Sequence, residues 1–168
     1  QWETLYRTYL DWGHTVDLID PIPGLPDMVY AANGATVVDG VVYSAQFRYA
    51  ERAPEGPAYE QWFADAGFTT HTPREVNEGE GDILLVGDVF LAGHGFRTDR
   101  SSHGELASLV GREVVSLELV DPHYYHLDTA LAVIDGDPAQ PLVAYYPPAL
   151  SAESQRVLGE LYPDAVIA

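Results

Sequence analysis

Apolar and polar positions recur along this chain in one order. Two short apolar runs within 35–45, Ala35-Thr-Val-Val and Val41-Val-Tyr-Ser-Ala, are joined by Asp39-Gly40. Asp-Gly is the strongest short hairpin signal, because both turn positions need φ > 0. A second pair of runs within 82–92 turns at Gly87-Asp88, and a third, 128–134 with 142–146, is separated by a longer turn. After each pair comes an apolar stripe at helical spacing. Tyr59, Trp62, Phe63 and Ala66 mark a helix from about Pro57 that stops at Gly67. Leu106, Leu109 and Val110 follow a Ser102-His-Gly-Glu105 capping box and end at Gly111, and Val157, Leu158 and Leu161 follow a capping Ser151. A further apolar run closes each group, at 68–72, 113–120 and 165–168. The pattern therefore predicts β-β-α-β, repeated.

Ahead of these units, Leu5, Tyr9 and Trp12 give residues 2–12 the stripe of a helix ending at Gly13. A strand is predicted at 15–20, a rigid proline loop at 21–26, and a strand opening at Asp27. Asp27, Asp82 and Asp128 each stand before the first strand of a unit, at a period of roughly fifty residues, in the range that marks propellers and solenoids. The stretches 1–20 (partial), 27–72, 78–120 and 126–168 read as roughly three and a half units of one incomplete α/β domain. The chain starts at Gln1, inside a predicted helix, and is expected to be a fragment.

Composition narrows the chemistry. With 168 residues, 46% of them hydrophobic, the chain can build a substantial core, and none of its apolar runs approaches a membrane-spanning length. Its 26 acidic residues face only 8 basic ones, all arginine, for a net charge of −18. Such a surface repels nucleic acid and anionic membranes and favours small cationic ligands, although solubility or adaptation to salt accounts for many of the charges. With no cysteine and no lysine, thiol nucleophiles, thiolate metal sites and Schiff-base lysines are excluded for these residues.

The remaining chemistry gathers at the starts of the units: Asp27 with Asn33, then Glu78, Glu80 and Asp82, then His126 with Asp128, and Arg97 past the middle hairpin. A carboxylate cluster facing a guanidinium suits a zwitterionic ligand. Strand alternation would turn His126 and Asp128 to one face, where a neighbouring carboxylate can keep a histidine protonated as general acid, then base. A buried structural histidine fits the spacing as well. His123-x-x-His126-x-Asp128 offers metal ligands, but an odd spacing puts His123 and Asp128 on opposite faces of a strand. His71, His94 and His103 are expected to be solvated surface residues, and Gly93-His-Gly95 is too short to suggest a phosphate loop.

Four motifs, Asp27-Met-Val-Tyr-Ala-Ala-Asn33-Gly, Glu78-Gly-Glu-Gly-Asp82, Gly95-Phe-Arg97-Thr and Tyr125-His126-Leu-Asp128, resemble in order those of the guanidine-modifying enzymes of the pentein superfamily. The resemblance is strongest to bacterial dimethylarginine dimethylaminohydrolases and their amidinotransferase relatives. It implies a partial five-bladed α/β propeller with a central active site, a cytoplasmic enzyme without metal or organic cofactor, and arginine or a methylated arginine as substrate, with a homodimer compatible. It implies that Asp27 binds substrate, that Arg97 grips the substrate carboxylate, that His126 is the acid/base, and that Glu78 or Glu80 is the motif's acidic residue. Asp128 would contact the guanidinium, and Asp82 is counted with the substrate-binding carboxylates. Asn33 stands where relatives often carry aspartate, and Ala32 where some carry glutamate. The family's nucleophile is a C-terminal cysteine, which attacks the guanidinium carbon; this chain has none. A dimethylarginine hydrolase is therefore expected of the intact protein and no activity of this chain alone. Arginine deiminase and amidinotransferase are the near alternatives, a non-catalytic binding module a more distant one, and a metal-dependent hydrolase using His123 and His126 the most distant.

Overall fold

Asp39 and Gly40 have φ of 50° and 77°, so the Asp-Gly dipeptide makes the left-handed two-residue turn its composition favours. That turn joins β1 (Ala35–Val38) to β2 (Val41–Ser44) in antiparallel register, Val38 opposite Val41. The chain then crosses over through α2 (Glu55–Asp65) to β3 (Thr69–His71), which pairs with β2 in parallel. A computed structural model describes all residues, Gln1–Ala168, and places this unit three times. The second unit runs β4 (Ile83–Val86), β5 (Val89–His94), α3 (Ser101–Val110) and β6 (Val114–Glu118); the third runs β7 (Leu131–Asp135), β8 (Leu142–Tyr145), α4 (Ala152–Leu161) and β9 (Val166–Ile167). Each forms its own three-stranded sheet with the hairpin's second strand in the middle. The molecule is thus a mixed α/β structure of small sheets.

Two clusters bind the units to one another. Val38 and Tyr43 of the first unit pack with Ile83, Phe90 and Leu106 of the second. Leu91 and Leu117 of the second pack with Leu131, Val143 and Leu158 of the third, all of them buried. Each such side chain contributes about 1.5–3 kcal/mol through loss of apolar surface to water.

Several expectations are corrected here. Residues 15–20 form no regular structure, because no neighbouring strand offers them a ladder. The N-terminal helix α1 (Trp2–Asp11) is present, but its apolar stripe is exposed and none of its residues is buried. No strand opens at Asp27. Pro26 instead begins a short 3-10 turn, Pro26–Val29, followed by a second, Ala31–Gly34. Equivalent 3-10 turns, Gly79–Gly81 and Leu127–Thr129, precede β4 and β7, so Asp82 and Asp128 also lie outside the strands. The capping box does not form. The helix begins at Ser101, so Ser102 donates back to the Asp99 carbonyl, and Glu105 accepts from Arg74 N, Glu75 N and the Tyr43 hydroxyl. Ser151 does cap α4, accepting from Ser154 N at 3.3 Å. His103 is buried, not solvated: it bonds Ser116 Oγ at 2.7 Å, and burial pushes it down to about 4. No helix is long and apolar enough to cross a membrane.

Candidate active site

Of the three 3-10 turns that open the units, Gly79–Gly81 packs against both Ala31–Gly34 and Leu127–Thr129 and so brings Asn33, Glu78 and His126 together. The glycines of Glu78-Gly-Glu-Gly-Asp82 make this contact possible. A Cβ on Gly81 would lie 2.1 Å from Asn33 Nδ2 and 3.2 Å from His126 Nδ1. One on Gly79, which has a φ of +55°, would strike the Ala35 carbonyl at 2.6 Å.

His126 is held between two carboxylates. Its Nδ1 lies 3.2 Å from Asp82 Oδ2 and its Nε2 lies 3.3 Å from Glu78 Oε2. Asp82 is fixed in turn: Oδ1 accepts from Leu127 N at 2.9 Å, and Oδ2 accepts from the Thr98 hydroxyl at 2.6 Å. The Thr98 hydroxyl also accepts from Glu78 N at 3.1 Å, so one side chain ties both carboxylate-bearing segments together. Burial opposes the imidazolium, but the hydrogen bonds and charges of Asp82 and Glu78 outweigh it and push His126 up to about 9. Glu78 has no exposed surface. Burial would raise its carboxyl, yet the His126 hydrogen bond and the Arg97 charge hold it below the usual carboxylate range.

Arg97 donates Nη1 to Glu78 Oε2 at 3.1 Å, and its guanidinium lies over the rings of both Tyr49 and Tyr125, 4.8 Å from each centroid. A second arginine, Arg52, is buried nearby. It bonds Glu55 through Nε and Nη2, donates Nη1 to Asn33 Oδ1 at 3.0 Å and Nη2 to the Asp27 carbonyl at 3.2 Å, and comes within 3.7 Å of Glu78. Asn33 thus has the orientation of its amide set by Arg52. These groups border a pocket of about 560 Å³ lined by Asp27, Asn33, Arg52, Arg97, His126 and Asp128, among others. Partial desolvation at the pocket wall raises the Asp128 carboxyl although the residue keeps solvent contact, and the His126 charge opposes the rise. A larger apolar recess of about 880 Å³, between α1 and the 16–29 segment, contains none of these side chains.

Of the residues expected from sequence, Asp27, Asn33, Arg97, His126 and Asp128 border this one pocket, with Glu78 beneath it. His126 and Asp128 share it from a 3-10 turn and not by strand alternation. Asp82 lies behind His126 with both oxygens engaged. Glu80 is not brought in. Its Oε1 accepts from Val37 N at 3.2 Å beside Ile83 and Leu85, while the residue as a whole stays exposed. His123 is exposed and bonds Asp121, apart from the buried His126, and no group of three or more His, Asp or Glu side chains is arranged to hold a metal ion. Arg52, Glu55 and Thr98 belong to the site although the patterns at the unit starts do not point to them. The available signals were the Arg52-x-x-Glu55 spacing and the position of an arginine beyond a hairpin, as with Arg97.

No family model matches the chain. It is 54% identical to the N(G),N(G)-dimethylarginine dimethylaminohydrolase of Mycobacterium tuberculosis over 99% of this chain and 54% of that protein. It is 40% identical to the bifunctional arginine dihydrolase/ornithine cyclodeaminase ArgZ of Synechocystis over 94% of this chain and 22% of that protein. Among solved structures, the N-terminal domain of ArgZ covalently bound to a reaction intermediate superposes with a TM-score of 0.92 at 37% identity, covering 100% of this chain and 62% of that one. A dimethylarginine dimethylaminohydrolase adduct at 16% identity superposes with a TM-score of 0.76, covering 99% of this chain and 64% of that one, a likeness of fold alone. The chain spans about half the length of the first of these relatives.

Proposed function

Because the chain belongs to the guanidine-modifying enzymes of the pentein superfamily, we propose that the full-length protein is a C–N hydrolase of arginine-like guanidines that converts dimethylarginine to citrulline and dimethylamine. The observation that carries this is His126, held between Glu78 and Asp82 at 3.3 and 3.2 Å beside a pocket that offers carboxylates and an arginine together. Asp27 and Asp128 suit the guanidinium of the substrate, with the Asn33 amide beside them, and Arg97 suits its α-carboxylate. Glu78, not Glu80, is the motif's working carboxylate, and we assign Asp82 to orienting His126 and not to binding substrate.

The nucleophile is a cysteine thiolate from outside these 168 residues. It attacks the guanidinium carbon, and the His126 imidazolium gives its proton to the departing amine as the C–N bond breaks. His126, now neutral, takes a proton from water, whose oxygen displaces the sulfur and becomes the citrulline carbonyl. The three β-β-α-β units are consecutive modules of a five-bladed propeller, one domain that this chain covers in part. Their common strand order supports that assignment. A cytoplasmic location and a homodimer belong to the same proposal.

Arginine is the second substrate to weigh, since ArgZ is an arginine dihydrolase by name and a substrate-bound structure of its N-terminal domain superposes with a TM-score of 0.91. Full-length protein should be incubated with dimethylarginine, with arginine, and with arginine plus an amine acceptor. Dimethylamine and citrulline are expected from the first. Ammonia from arginine without turnover of the methylated substrate overturns the substrate assignment; guanidine transfer to the amine makes the protein an amidinotransferase. Arginine binding by calorimetry without any turnover makes it a binding module.

A further inference from the structure

Two aromatic rings hold the guanidinium of Arg97. Its Cζ lies over the rings of both Tyr49 and Tyr125, 4.8 Å from each centroid. The two rings come from different units: Tyr49 starts the turn that carries Arg52, whose N–H bonds the Tyr49 carbonyl, and Tyr125 immediately precedes His126. Arg48, one residue before Tyr49, donates Nε to the Arg97 carbonyl at 3.4 Å and pairs with Asp99, which binds the Tyr49 turn to the Arg97 segment. Both tyrosines keep more than two-fifths of their surface exposed (49% and 42%), so neither is a core side chain.

From this we propose that Tyr49 and Tyr125 are positioning residues for substrate recognition, fixing the Arg97 guanidinium by cation–π contact so that its free N–H groups are held at the pocket. The N–H groups of a guanidinium lie in its own plane, so with Nη1 committed to Glu78 a fixed Arg97 leaves Nε and Nη2 for a planar, bidentate acceptor. That geometry selects a ligand with a carboxylate over one with a neutral or tetrahedral group at the same distance. The inference rests on the proposed reading of Arg97 as the clamp for the α-carboxylate.

The test is steady-state kinetics of the full-length protein with two substrates, an arginine-type amino acid and the matching alkylguanidine without the carboxylate. Tyr49→Ala should raise KM for the amino acid roughly 3- to 30-fold, the range expected for losing one cation–π face, while kcat changes much less. KM for the alkylguanidine should stay within about twofold of the parent, which a general loosening of the site would not allow. Tyr49→Phe should restore the parent KM, since the ring face and not the hydroxyl meets Arg97. Tyr125→Phe should likewise match the parent. Should Tyr49→Ala fail to fold, Tyr49→Leu keeps the bulk without the π face and should behave as predicted for alanine. Equal KM increases for both substrates, or a leucine variant that matches the parent, overturn the proposal. A parent that turns over neither substrate overturns the proposed function instead.

Discussion

His126 Nδ1 lies 3.2 Å from Asp82 Oδ2, and the Leu127 amide, adjacent to that histidine, donates to the other oxygen of the same carboxylate at 2.9 Å. Asp82 therefore fixes both the ring and the backbone that carries it. Asp82→Asn should keep the hydrogen-bonded shape but lose the charge, bringing the His126 titration down from about 9 toward 6.5. Histidine ring resonances followed by NMR across pH 5–10 would measure this; an unchanged midpoint rules out Asp82 as a principal cause.

Two buried histidines oppose each other in their effect on stability. His126 is raised from 6.5 to about 9 in the folded state, so its stabilisation is complete below pH 6.5 and is lost as pH rises through about 9. His103 is lowered from 6.5 to about 4, so folded protein keeps it neutral, and stability is lost as pH falls from 6.5 toward 4. Unfolding free energy of the full-length protein by urea titration should accordingly peak near pH 6.5. His126→Gln should flatten the alkaline limb. Stability that keeps rising between pH 7 and 9 contradicts the assignment for His126.

Arg97 and His126 should separate in kinetics. Arg97→Ala removes a charged hydrogen bond of roughly 2–3 kcal/mol and should raise KM about 30- to 150-fold. Lysine there should rescue only in part, because a point charge lacks the planar fork. His126→Ala should depress kcat by about 10²- to 10⁴-fold through loss of proton transfer. An Arg97→Ala enzyme that prefers the carboxylate-bearing substrate as sharply as the parent does would remove Arg97 from the role of clamp.

Glu78 and Glu80 differ by two positions and should differ completely in effect. Glu78→Gln weakens the hold on His126 and Arg97 and should abolish most activity, whereas Glu80→Gln, on the Val37 side of the turn, should retain activity near the parent's. Comparable losses in both would mean that the turn moves when substrate binds.

Gly81 and Gly104 offer a matched pair. Gly81→Ala places a methyl 2.1 Å from Asn33 Nδ2 and should cost about 1–3 kcal/mol by overpacking, with loss of substrate affinity. Gly104 in α3 has open space around its Cβ position, so Gly104→Ala should stabilise by about 0.5–1 kcal/mol. Thermal or denaturant unfolding of the two variants decides both signs.

The β-β-α-β repeat is legible in the residues alone, because its signals act over a few positions: Asp39-Gly40 supplies the two left-handed turn positions, Gly111 the left-handed helix stop, and Ser151 the oxygen that caps α4. The candidate carboxylates and His126 likewise gather at the starts of the units, with Arg97 beyond a hairpin. Which way those starts turn depends on contacts between units. Three 3-10 turns, from three separate units, stand where strand openings are expected, and the middle one packs against each of the other two, an arrangement no local pattern encodes. The same packing turns Glu78 inward and Glu80 outward on two sides of one glycine-rich turn. It buries Arg52 against a partner three residues away and an acceptor nineteen away, and covers His103 with Ser116 and Gly93. Burial and charge pairing are set by what stands opposite a side chain in space, and for these residues the opposite groups belong to other elements of the chain.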